Sequence, residues 1–122
     1  MTNRIGAQEL LDGYEILFDT PLRLAHEAVM VAAAELSDDG WPTVPMLIRF
    51  AKCYEVPLAE LAGLCGILVS KIGRRTVFSD ARRDPELVNR LSATAWSRRA
   101  LVAYGFYNVA AQMTARDQGT VH

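Results

Sequence analysis

Residues 58 to 76 read LAELAGLCGILVSKIGRRT, and the way this stretch folds decides what the rest of the chain can be. Leu58, Leu61, Cys65, Leu68 and Ile72 recur at alternating spacings of three and four, the stripe of one amphipathic helix. An unbroken helix would have to hold Gly63 and Gly66, which costs roughly 1–2 kcal/mol relative to alanine. That cost favours a turn at Gly66. Gly73 can end the segment under either reading, and periodicity alone leaves both open.

Upstream, helical spacing is plain. Leu10, Leu11, Tyr14, Leu17 and Phe18 mark a helix over 7–18. Asp19 or Thr20 can cap the next one, with Pro21 in its first turn. Leu22, Ala25, Val29, Ala32 and Leu36 give that second helix its stripe, and Ser37-Asp38-Asp39-Gly40 ends it. Thr43 opens a third helix, with Pro45 in its first turn and Met46, Leu47, Phe50, Ala51 and Tyr54 on one face; Val56-Pro57 breaks it.

Downstream, residues 76–83 read as irregular, with Thr76-Val77-Phe78 at most a short extended piece. Asp84-Pro85-Glu86 is a helix start, and Val88, Leu91, Ala95, Val102, Phe106, Val109 and Met113 keep one register to 115. Ser97-Arg98-Arg99 interrupts the stripe, so one long helix or two jointed near Ser97 are expected. No alternating strand of useful length is evident. The expectation is an all-α fold, a five- or six-helix orthogonal bundle with a long C-terminal helix, as one domain over 1–116 and a flexible tail over 117–122.

At 122 residues and 51% hydrophobic content the chain can bury a core without disulfides or metal. Cys53 and Cys65 stand twelve residues apart, outside any C-x-x-C pair, and read as buried free thiols. With His26 and His122 the only histidines, no set of about four zinc ligands exists, so no metal or other cofactor is expected. No catalytic residues are expected either: no nucleophile elbow, phosphate loop or dinucleotide loop occurs. His26 has apolar helix neighbours and reads as a satisfied or rim histidine; only a polar pocket giving it a carboxylate partner would reopen the enzyme question. The N-terminus lacks the pattern of a secretory leader, and the longest apolar run, Leu61 to Val69, is too short for a bilayer span of about 20 residues. A cytoplasmic protein with no membrane contact is expected.

Charge is divided unevenly. Residues 1–70 carry four basic and ten acidic groups, net −6, and residues 71–122 carry nine and four, net +5. Lys71, Arg74, Arg75, Arg82, Arg83, Arg90, Arg98 and Arg99 fall close together, mostly as arginine, whose planar fork fits phosphate and carboxylate oxygens. Such a cluster can meet nucleic acid, an acidic protein, or the acidic half of the same chain.

With Gly66 as a turn, the stretch resembles the helix-turn-helix of many small bacterial and phage DNA-binding proteins. The resemblance covers residues 58–76 and no more of the chain. Ala62 stands where the two helices touch, Gly66 where the chain turns, and Ile72 where an aliphatic residue pins the second helix. It implies a DNA-contacting unit at 57–75, with Ser70, Lys71, Arg74 and Arg75 on or just after the recognition helix and Arg82 and Arg83 on flanking phosphates. Leu68 and Val69 depart from it, being apolar where recognition helices are polar.

The leading expectation is therefore a dimeric DNA-binding regulator that acts by occupying a duplex site. The alternative is an inhibitor or adaptor docking on an acidic protein through the same arginines. Its contacts would include Leu68, Val69, Arg98, Arg99, Tyr104 and Tyr107, with the aromatics as interface anchors.

Overall fold

Capping chemistry sets the helix starts. In the computed structural model, which describes residues 6–80 and 97–119, the Asp19 carboxylate accepts a hydrogen bond from the Leu22 amide at 3.0 Å. Thr43 Oγ1 does the same for the Met46 amide at 3.4 Å. A proline follows each cap in the first turn. The elements in chain order are helices α1 (Ala7–Leu17), α2 (Thr20–Leu36), α3 (Val44–Tyr54) and α4 (Leu58–Leu64), strands β1 (Ile67–Ile72) and β2 (Arg75–Asp80), and helix α5 (Arg98–Gly119). The fold is mostly helical, with one small antiparallel hairpin.

That hairpin is the main departure from the all-α expectation. The chain does turn at Gly66, whose φ of +82° is left-handed. It continues as β1 where a recognition helix would lie, so residues 58–76 do not form a helix-turn-helix. Ile67, Leu68 and Val69 on β1 and Val77 and Phe78 on β2 are β-branched or apolar residues that suit a ribbon covered at its base. β1 pairs with β2 from Ile67↔Asp80 through to Ile72↔Arg75. Two residues, Gly73 and Arg74, make the connection, and only Gly73 has positive φ (+65°), the pattern of a type II′ hairpin turn.

The core is centred on α4, against which α2, α3, β1 and α5 pack, with α1 adding Tyr14. Tyr14, Phe18, Leu22, Val29, Leu47, Leu61, Cys65 and Ala103 belong to it. The buried stripe of α2 is Leu22, Ala25, Val29 and Ala33, so Ala33 takes the place expected of Ala32, and Leu36 is exposed. Leu17 and Val102 are likewise exposed; on α5 it is Ala100 and Ala103 that are buried. Both cysteines are free, but only Cys65 is buried. The expected helix from 85 falls outside the described residues up to 96. From there, Ser97 Oγ accepts the Ala100 amide at 3.1 Å and α5 begins at Arg98, with its end at Gly119 inside the stretch expected to be a tail.

At Gly63 the backbones of α4 and α5 approach closely. A Cβ there would lie 2.8 Å from the Ala100 carbonyl oxygen and 3.1 Å from the Ala103 Cβ. Alanine brings up to about 1 kcal/mol of helix propensity, but a backbone carbonyl cannot rotate away, and overpacking costs about 1–3 kcal/mol. Gly63→Ala is expected to lower stability by about 1 kcal/mol, a drop in Tm of about 5 °C. A melt at or above the wild-type temperature would mean that the helices part easily at this point.

Candidate functional site

The ribbon of β1 and β2 sorts its side chains by depth. At its base Ile67, Leu68, Ser70 and Ser79 are buried. Toward the turn, Lys71, Gly73, Arg74, Arg75 and Thr76 are exposed. Because side chains alternate, Lys71 and its partner Thr76 share one face while Arg75 lies on the other, and Arg74 sits in the turn. Three cations thus surround the tip, and among the described residues none of them pairs with a carboxylate.

The expected contact residues separate accordingly. Lys71, Arg74 and Arg75 come together at the tip. Ser70 lies beneath it in the protein interior and is not available to a base edge. Arg82 and Arg83 lie outside the described residues. Of the alternative set, Leu68 is buried at 1% exposure and cannot serve as a surface anchor, and Val69 packs against the core.

Arg98 is exposed at the start of α5, but Arg99 is engaged: its Nε stands 2.7 Å from Oε1 of Glu60, a buried residue of α4. Tyr104 and Tyr107 are half-buried and lie 6.1 Å apart, ring centre to ring centre. Tyr107 also meets Trp41 edge-on at 5.8 Å. Phe106 packs against both Tyr14 and Phe18, in keeping with a core role.

Two features escaped the sequence reading. One is Glu60, an acid inside an apolar run, whose burial is explained by Arg99 nearly forty positions later. The other surrounds His26. Its Nδ1 lies 2.9 Å from the Tyr14 hydroxyl, which in turn lies 3.4 Å from the Arg23 carbonyl oxygen. The partner is a phenol, not a carboxylate. Burial pushes His26 down to about 4 and, together with Glu27, pushes the Tyr14 phenol up to about 12.

His26, Met30 and Phe106 separate two apolar hollows. The first, about 500 Å³, is completed by Ala7, Leu10, Leu11, Tyr14 and Glu27. The second, about 340 Å³, is completed by Trp41, Leu64, Tyr107, Ala110, Ala111 and Thr114. Among the described residues no group of three or more His, Cys, Asp and Glu side chains could hold a metal ion. None of the described helices is long and apolar enough to cross a membrane. No family model, curated protein or solved structure matches the chain.

Proposed function

We propose that this chain is a duplex-DNA-binding protein whose contact element is the β1–β2 hairpin, and that it acts by occupying a site, without chemistry. The observation that carries this reading is the cationic tip: Lys71, Arg74 and Arg75 exposed around a tight turn, on a ribbon anchored in the core. The exposed end of the ribbon runs from Lys71 on β1 through the turn to Arg75 and Thr76 on β2, about two residues beyond the buried base, or about 7 Å at about 3.3 Å per residue. A major groove about 12 Å wide and about 8.5 Å deep admits a two-stranded ribbon, and a tip of that reach enters it. Arginine at the tip supplies the bidentate chemistry for phosphate or for guanine edges. Docking on an acidic protein would use the same cations, but it also needs apolar anchors beside them; Leu68 and Val69 are committed to the interior, and Tyr104 and Tyr107 belong to α5 and not to the ribbon.

Fluorescence anisotropy of a labelled mixed-sequence duplex, titrated at several salt concentrations, tests the reading. Binding at about 50 mM salt should weaken steeply as salt rises. The Lys71→Ala/Arg74→Ala/Arg75→Ala variant should lose about tenfold or more in affinity and about 3 in the slope of log K against log salt, close to one per phosphate contact. No affinity at low salt, or an unaltered slope in the variant, would remove the hairpin from DNA contact.

A further inference from the structure

We propose that the cleft between α1, α2 and α5 binds a small uncharged aromatic molecule bearing one hydroxyl, with His26 as its hydrogen-bonding partner. The two hollows meet at His26, Met30 and Phe106, and each lies within the size range of small-molecule sites, about 300–1,000 Å³. Their walls are apolar and aromatic. Phe106, Tyr14 and Trp41 offer ring faces and edges to a flat ligand.

One polar atom in this apolar setting has no partner among the described residues. Tyr14 has a single hydroxyl proton. If it donates that proton to His26 Nδ1, the imidazole carries its own hydrogen on Nε2 and offers a donor. If it donates to the Arg23 carbonyl oxygen instead, Nδ1–H donates to the phenol and Nε2 is an acceptor. Under both arrangements Nε2 is left over, and among the described residues nothing hydrogen-bonds it. A hydroxyl both donates and accepts, so it satisfies either tautomer.

Charge narrows the ligand further. The burial that keeps His26 neutral penalises any cation placed beside it. Glu27 on the rim, and Glu9, Asp12 and Glu15 along α1, repel an anion. A neutral molecule remains. This site is separate from the hairpin and does not depend on what the hairpin binds.

The test uses 2-naphthol as probe, with naphthalene and 2-naphthalenesulfonate for comparison, followed by amide chemical shifts of the full chain. Saturable one-to-one binding of 2-naphthol is expected, with shifts gathered around His26, Met30 and Phe106. Naphthalene should bind about tenfold more weakly, the worth of one hydrogen bond, and the sulfonate more weakly still.

Ala111→Trp, which fills the second hollow, should weaken 2-naphthol. His26→Leu should bring 2-naphthol down to the affinity of naphthalene, and His26→Gln should restore part of the difference. Ala111→Trp leaves His26 in place, so it reads out occupancy even if the His26 variants fold poorly. Shifts scattered over the surface, or equal affinity for the three probes, would overturn the proposal. So would cleft shifts that follow protein concentration alone, because a second copy would then be filling the cleft.

Discussion

Arg99→Ala is expected to cost the fold about 3 kcal/mol, the lower part of the range for breaking a buried ion pair. The asymmetry of the pair sets this figure. The Glu60 side chain is 8% exposed, whereas that of Arg99 is 64% exposed. The guanidinium is already largely hydrated and loses little when the pair is broken, so an exposed pair would be worth under about 1 kcal/mol. The carboxylate has no such recourse, and without Arg99 it is a charge held in the interior between α4 and α5.

Arg99 also sits in the first turn of α5, where a cation opposes the helix dipole. Glu60 in the first turn of α4 has the favourable sign, so the arginine's position is explained by the acid it neutralises and not by its own helix. Urea denaturation of a double-mutant cycle checks this. In a Glu60→Gln background, Arg99→Ala should cost only about 0.5 kcal/mol, leaving a coupling of about 2.5 kcal/mol. A coupling near zero would show that the buried acid does not rely on this arginine.

The same pair shows why the charge division could be read but not resolved from sequence. The acidic first half and basic second half do meet inside the protein, at Glu60 and Arg99, while Lys71, Arg74 and Arg75 stay outside. Nothing local to either arginine pair distinguishes them; the distinction comes from which elements pack together. Helix starts were legible because capping is local: Asp19 with Pro21 and Thr43 with Pro45 do what their neighbours dictate.

The hairpin was hidden for a different reason. Ile67-Leu68-Val69 is covered on both faces at the ribbon's base, so it shows an apolar run and no alternation, which a helix stripe can imitate. Gly73-Arg74 read as a helix stop because a two-residue turn and a helix end both use a glycine with positive φ. Gly66 was legible as a turn, but the element after a turn is set by what it packs on. The cleft had no sequence signal at all, because its walls come from α1, α2 and α5, up to about a hundred positions apart. His26, read as a satisfied or rim histidine, is hydrogen-bonded through Nδ1, and among the described residues through that nitrogen alone.

Between pH 6.5 and pH 4 the protein is expected to lose about 3 kcal/mol of stability through His26 alone, on top of whatever its carboxylates contribute. The imidazole is held down to about 4 by burial, against about 6.5 in an unfolded chain. Across that window the unfolded chain binds a proton that the folded one refuses, so acid favours unfolding. Above pH 6.5 both states are neutral at this position and the effect vanishes; below pH 4 both are charged and the slope flattens.

The groups around the ring do not rescue the charged form. Tyr14, pushed up to about 12, keeps its proton throughout the window and contributes no negative charge. Arg23 lies near the Tyr14 hydroxyl through its carbonyl and is itself a cation; Phe106 is apolar. Glu27 on the rim is exposed to solvent that screens it, as are Glu9, Asp12 and Glu15 along α1. Chemical denaturation at pH 7 and pH 4 measures the drop, and His26→Leu should remove about 3 kcal/mol of it while leaving the carboxylate part in place. Parallel curves for wild type and variant would mean that water reaches the ring in the folded state, and that its burial is not what keeps it neutral.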